Sequence, residues 1–213
     1  VYDSRGGIVE YRGKKVRDSH EGGYGKISLG RGFEVSSNTV LVQAVYDNYK
    51  NNPKKYVEHI NRMKLNQPLG LQIKGEGKPI IPQPGAKNWY GTTLPWMAYG
   101  YGVSITPLQT LTLYNAVANN GEMVKPLFVQ EIKEWDKTIK KFDKEVLNPK
   151  ICSDETLKKV RKVLENVVKK GTGSKLYMPN FSMAGKTGTA QVNYAKGKER
   201  DGDMYYASSF VGY

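Results

Sequence analysis

Ala184-Gly185-Lys186-Thr187-Gly188-Thr189-Ala190-Gln191 is the stretch on which the reading of the fold turns. Its residues alternate as a β-strand does. A strand sends successive side chains to opposite faces, so Lys186 and Gly188 are expected on one face and Thr187 and Thr189 on the other. A glycine in a strand lets a ligand lie against the backbone, where strand N–H groups can donate. A cationic lysine with two hydroxyls nearby suits a carboxylate, each charge-assisted hydrogen bond contributing about 1.5–3 kcal/mol. Taken alone, the Lys-Thr-Gly triplet is equally compatible with an edge strand bearing a solvated lysine.

Working outward, residues 185–194 and 204–213 are predicted to form two antiparallel strands joined by a polar loop over 195–203. Upstream, Gly171 stops a helix that Ser153 caps and that runs through Lys170. Its apolar stripe is Leu157, Val160, Leu164, Val167 and Val168. Asp154 and Glu155 stand at its positive end and Lys169 and Lys170 at its negative end, as the helix dipole favours. Residues 126–146 are expected to form a β-hairpin with Trp135-Asp136-Lys137 near its turn. Thr106-Pro107-Leu108-Gln109 supplies a cap, a first-position proline and a capping-box glutamine for a helix that Gly121 ends. Leu108, Leu111, Tyr114 and Val117 are its expected inner face.

Residues 66–104 hold Pro68, Pro79, Pro82, Pro84 and Pro95 among many glycines. That composition rules out long helices and argues against interior strands, and a long irregular stretch of this kind is usually functional. A helix should begin at Asn52 with Pro53 in its first position, burying Tyr56, Val57, Ile60 and Met63. It should pack on one that begins after Asn38 with Val40, Leu41, Ala44, Val45 and Tyr49 as its stripe. Residues 1–34 are rich in glycine and charge, with a hairpin expected from Ile8–Tyr11 and Lys14–Arg17.

Composition bounds the function. The 213 residues suffice for one domain, and 38% apolar content is enough for a core. The net charge of +13 invites a nucleic-acid or anionic-surface reading. The basic runs, however, alternate with apolar residues as solvated faces do, and no aromatics are interleaved with them as stacking platforms. No nucleic-acid partner is therefore expected. Cys152 is alone and only His20 and His59 accompany it, which leaves no internal disulfide and no expected zinc site. No apolar run approaches a membrane span.

The second chemical signal is Ser36-Ser37-Asn38, just before a helix, where a capping role is the plain alternative. The order Ser-x-Asn, Thr-Pro-Leu-Gln, Gly171-Thr172-Gly173 and Lys-Thr-Gly-Thr resembles one family throughout, the penicillin-binding transpeptidases. The likeness is greatest to the class B members that act in division or elongation. It extends over residues 33–38, 97–109 (MAYGYGVSITPLQ), 113–126 (LYNAVANNGEMVKP), 170–174 and 184–191 (AGKTGTAQ). The resemblance implies an α/β fold of the α+β type, shared with serine β-lactamases, in which an antiparallel sheet is flanked by helices. It implies that Ser36 relays a proton toward the leaving amine and that Asn38 hydrogen-bonds the substrate's peptide group. Lys186 would polarise Ser36 and supply field for the substrate carboxylate, which the hydroxyls of Thr187 and Thr189 would bind. Gly188 and Gln191 complete the implied substrate-binding set. The Thr189 N–H would be half of an oxyanion hole, a kind of donor whose loss costs about 2.7–4 kcal/mol in a well-studied protease.

The family's Ser-x-x-Lys nucleophile is missing: none occurs upstream of Ser36, and no serine downstream has a lysine three positions on. The expectation is that the nucleophile segment precedes Val1 in a longer parent, that the sheet is incomplete, and that this chain alone is inactive. Exposed strand edges would then favour self-association. The resemblance further implies stem peptides ending in D-alanyl-D-alanine as substrate and β-lactams as covalent mimics, with no metal or organic cofactor. The parent would be anchored in the bacterial inner membrane, its domain in the periplasm or outside the cell, beside division or elongation membrane proteins. Two rivals stand beside this reading: a β-lactamase or β-lactam sensor, and a non-catalytic division scaffold.

Overall fold

A computed structural model describes residues 1–191 and 205–213. In chain order the strands are β1 (Tyr2–Asp3), β2 (Ile8–Tyr11), β3 (Lys14–Arg17) and β4 (Lys26–Ile27), followed by helices α1 (Leu29–Glu34), α2 (Asn38–Tyr49), α3 (Pro53–Arg62), α4 (Thr93–Met97) and α5 (Pro107–Ala118). Then come β5 (Met123–Val124), β6 (Glu131–Glu134), β7 (Lys137–Lys141), β8 (Val146–Asn148), α6 (Asp154–Lys170), β9 (Gly185–Gln191) and β10 (Tyr206–Gly212). The expected strand ends at 192–194 and at 204, and the loop at 195–203, lie outside the described residues.

Helices and antiparallel strands make up the fold, as expected, but among the described residues the strands pair only two by two: β1 with β4, β2 with β3, β5 with β8, β6 with β7, and β9 with β10. The β2–β3 hairpin and the β6–β7 turn at Trp135 are as read from the sequence. Val146, expected as the end of the second hairpin, instead belongs to β8 and pairs with Val124. The short pair β1–β4 and helix α1 gave no sequence signal, because elements of two to six residues are too short to show a period.

Helix α2 is the central element. Ser37 caps it through a bond from the Val40 N–H. Asp18, from the end of β3, accepts the Ser37 hydroxyl at 3.0 Å, the Thr39 N–H at 2.9 Å and the Thr39 hydroxyl at 2.9 Å. A carboxylate there suits the positive end of the helix dipole. The single stripe expected for α2 is too narrow. Val42 is buried against Val9 and Val16 of the β2–β3 hairpin, with Trp96 and Tyr99 beside them, while Val40 and Ala44 are also buried. At Gly32 a Cβ would stand 2.4 Å from a Val40 methyl, so glycine is what allows α1 to approach α2 so closely.

Helix α3 begins at Pro53 with the Asn52 side chain capping Lys55 N, as predicted, and it meets α2 through Tyr49 and Tyr56, whose ring centroids are 5.3 Å apart. The proline-rich stretch holds only the five-residue α4 and a bridge between Ile80 and Ser104. Helix α5 has the full capping box. Its inner face differs from the expected one: Leu111 is exposed, and Gln109, Thr112, Ala116 and Val117 are buried. The buried polar pair is satisfied, Gln109 Nε2 donating to Gln67 O and Thr112 Oγ1 to Leu108 O.

The second core joins Val117 of α5, Leu157 and Leu164 of α6, and Ala184 before β9, with Phe33, Tyr114 and Val160 against them. Arg161, one of the basic run on α6, caps the end of α5 by donating to the carbonyls of Val117 and Ala118 and to Asn120 Oδ1. Its neighbours Lys159 and Lys162 pair with Glu155 and Glu165 on the solvated face. No helix of the described residues is long and apolar enough to cross a membrane.

Candidate active site

Residues 36 and 186 are 150 positions apart in the chain, yet the Lys186 Nζ donates to the Ser36 Oγ at 2.9 Å. Ser36 reaches that point through the tight connection between α1 and α2. Its φ of +56° lies in the left-handed region, its N–H donates to Phe33 O, and the Ser37 N–H donates to Gly32 O. A serine held there costs conformational energy, a strain found most often at functional positions.

Lys186 is fixed from three sides. Besides Ser36 it donates to the Thr187 carbonyl at 3.0 Å, and its Nζ lies 5.6 Å from the centroid of the Phe33 ring. Burial lowers its pKa from the ordinary lysine value to about 8. Among the described residues no carboxylate lies within ion-pair distance of it. A partly buried cation without a counter-charge is a site for an anion to bind.

The strand places the remaining residues. Register pairs Gly188 with Ser209, Thr189 with Ser208, and Thr187 with Phe210. Thr187 Oγ1 lies 2.6 Å from the hydroxyl of Thr172, in the Gly171-Thr172-Gly173 turn. Thr189 is exposed, and the Gln191 N–H donates to the Tyr101 hydroxyl at 3.4 Å. A Cβ at Gly188 would stand 2.6 Å from Ser209 Oγ, so the glycine also serves the pairing of β9 with β10. Asn38 lies at the first position of α2, and its side-chain amide donates to the Arg17 carbonyl. The structure thus joins Ser36 to Lys186 and Thr187 to Thr172, while the Asn38 amide is engaged toward β3.

Sequence reasoning gave Phe33, Thr172, Asp18 and Tyr101 no role, although the first, second and fourth fall in stretches it singled out. Contacts between distant segments leave no periodic signal. The chemistry this arrangement supports is anion binding and proton movement at the Ser36 hydroxyl. Among the described residues, no group of three or more His, Cys, Asp or Glu side chains could hold a metal ion.

Residues 2–213 match the model of the penicillin binding protein transpeptidase domain. Stage V sporulation protein D of Bacillus subtilis is 30% identical over 97% of this chain and 31% of its own length. Peptidoglycan D,D-transpeptidase FtsI of Buchnera aphidicola is 31% identical over 74% of this chain and 26% of its own length. The chain therefore spans about a third or less of these relatives. Penicillin binding protein 3 of Mycobacterium tuberculosis, solved in complex with aztreonam, superposes with a TM-score of 0.76 at 28% identity, covering 97% of this chain and 46% of that one. A match that runs from end to end, over a fold that closes Lys186 onto Ser36, leaves one conclusion: the chain belongs to the penicillin-binding protein transpeptidase domain family.

Proposed function

We propose that this chain is the part of a peptidoglycan D,D-transpeptidase that binds the donor peptide's carboxylate and handles the leaving-group proton. The observation that carries this reading is the 2.9 Å contact from Lys186 Nζ to Ser36 Oγ. The donor is a stem peptide ending in D-alanyl-D-alanine, and its terminal carboxylate sits at the hydroxyls of Thr187 and Thr189 in the field of Lys186. Gly188 and Gln191 line the same strand beside it. A serine from outside these 213 residues, which contain no Ser-x-x-Lys, attacks the penultimate carbonyl. The carbonyl oxygen then takes negative charge at the Thr189 N–H, the departing D-alanine amine gains its proton by way of Ser36, and an acceptor amine later displaces the ester. Asn38 bonds the donor's peptide group once its amide turns from Arg17.

β-Lactams, as cyclic acyl donors carrying a carboxylate, acylate the same serine. The parent is held at the membrane with this domain outside the cytoplasm, alongside membrane proteins of division or elongation. Relatives named for peptidoglycan D,D-transpeptidase activity support a domain that works on the cell wall, outside the cytoplasm. Fluorescent penicillin supplies the test. A version extended upstream in the parent sequence forms a covalent adduct and the 213-residue chain does not. Lys186→Ala in the longer protein slows labelling by about tenfold or more, the scale of losing a charge-assisted hydrogen bond. An extended protein that stays unlabelled, or labels equally fast without Lys186, sinks the reading.

A further inference from the structure

Glu34 is a carboxylate with no part in the chemistry above, and it is only 5% exposed. A buried carboxylate is costly unless it is paired and hydrogen-bonded, and this one is both. Its Oε2 accepts from Arg31 Nη1 at 3.0 Å and lies 3.9 Å from Lys170 Nζ, and its Oε1 accepts from Asn166 Nδ2 at 2.7 Å. Arg31 also donates to the Lys170 carbonyl. The backbone joins in: the Thr172 N–H donates to Glu34 O at 3.1 Å. A Cβ on Gly171 would stand 2.2 Å from that same oxygen.

These contacts form a closed ring. Glu34 precedes Ser36 by two residues. From the Glu34 backbone carbonyl the ring passes through the Thr172 N–H to the Thr172 hydroxyl, then 2.6 Å to Thr187, then along β9 to Lys186, and 2.9 Å back to Ser36, while the Glu34 carboxylate braces the ring against α6 through Asn166 and Lys170. The body of α6 does not depend on Glu34, because Leu157, Leu164, Val167 and Val168 bury it independently. Only its last turn and the Gly171–Gly173 connection do.

We propose that Glu34 is a positioning residue that docks the Gly171-Thr172-Gly173 turn against the Ser36 connection and so sets where Thr187 and Lys186 meet a substrate carboxylate. The inference rests on the acyl-transfer reading of this site. Without the Glu34 carboxylate, Arg31 and Lys170 face each other as like charges and Asn166 loses its acceptor; the Thr172 N–H keeps the backbone carbonyl of residue 34, but the last turn of α6 moves and carries the Thr172 hydroxyl away from Thr187. Carboxylate recognition then suffers more than the fold.

The experiment compares acylation of the full-length parent by a penicillin with a free carboxylate and by its methyl ester. Rate constants for both, and thermal stability, are measured for wild type, Glu34→Ala, Glu34→Gln and Asn166→Ala. A shift of about 1 Å in a positioned group can cost about a hundredfold, so Glu34→Ala should lower the acid-to-ester ratio by about tenfold or more. Glu34→Gln keeps an oxygen for one of its two donors, sets an amide N–H against the other and loses the charge between Arg31 and Lys170, so it should lower the ratio, but by less than Glu34→Ala. Asn166→Ala, which leaves the carboxylate paired with Arg31, also lowers the ratio by less than Glu34→Ala. A purely structural role would lower stability and both rates while leaving the ratio alone. A folded Glu34→Ala protein with the wild-type ratio overturns the proposal. Should Glu34→Ala fail to fold, an unchanged ratio in Asn166→Ala overturns it instead. A wild-type parent that neither penicillin acylates refutes the acyl-transfer reading itself, and this inference with it.

Discussion

Lys186 is a cation held by two neutral oxygens and one aromatic face, and its burial brings its pKa down to about 8. The sign of the linkage follows. An unfolded chain keeps this proton up to the ordinary lysine value of 10.5, whereas the folded chain releases it near 8. Between those values the unfolded state binds more protons, so stability contributed at this position is present above about 10.5 and is lost as pH falls through about 8. Denaturation of the 213-residue chain from pH 7 to 10 should therefore show wild type gaining on Lys186→Met as pH rises, and a constant gap would contradict it. Function runs the other way. The extended parent should label with penicillin more slowly as pH rises past about 8, because the field on the carboxylate fades. Lys186→Arg, which stays charged throughout, should flatten that decline whatever its absolute rate. Lys186, Thr187 and Ser36 were legible in the sequence because each sits in a short, fixed-spacing motif. Phe33 beneath the ammonium and Glu34 behind the serine were not, since they resemble an ordinary core aromatic and an ordinary surface acid until distant segments are brought together.

At the scale of elements, the parts that position the site are the ends of helices rather than their faces. Asp18 accepts three bonds at the start of α2, and Ser37 is one of its donors, so this carboxylate ties the Ser36 connection to the end of β3 beside the bond from the Asn38 amide to Arg17 O. Asp18→Ala removes those three bonds and leaves the buried Thr39 hydroxyl with only Ser37 nearby. Loss of a helix cap costs about 0.5–2 kcal/mol and an unsatisfied buried group about 1–3 kcal/mol, so a loss of about 2–4 kcal/mol is expected. Urea denaturation of the 213-residue chain measures it, and a change below about 0.5 kcal/mol, typical of an ordinary surface position, would show that Asp18 is not the anchor. Helix starts were the most readable features because Asn52, Thr106 and Ser153 announce themselves locally; α2 starts at Asn38, one residue before the expected position, with Ser37 as its cap. Buried faces were less so. On α5 the apolar Leu111 points outward while Gln109 and Thr112 point inward, since satisfied polar groups can be buried as readily as leucine when a backbone carbonyl waits for them.

At the scale of the whole molecule, the five separate two-stranded pairs among the described residues leave an unusual amount of strand edge. Two-stranded hairpins are marginal in water unless something packs on them. The β9–β10 pair has the longest strands, seven residues each; Phe210 is exposed on β10, and among the described residues β10 pairs with β9 alone. An edge of that length is a template for another strand, and the chain should form dimers or larger species through it. The net charge of +13 opposes this association, since like-charged copies repel over a screening length of about 10 Å at 0.1 M salt. Added salt removes that opposition without weakening backbone pairing. Light scattering coupled to sizing should therefore show the associated fraction increasing from about 0.05 M to about 0.5 M salt, a range over which the screening length shortens several-fold. A dimer held by ion pairs would dissociate over the same range. Ala207→Lys puts a charge on β10 opposite Ala190, away from the Ser36–Lys186 contact, and should return the chain to monomer at both salt concentrations. A wild-type chain that stays monomeric at high concentration in 0.5 M salt would show that the β10 edge is closed by the molecule itself.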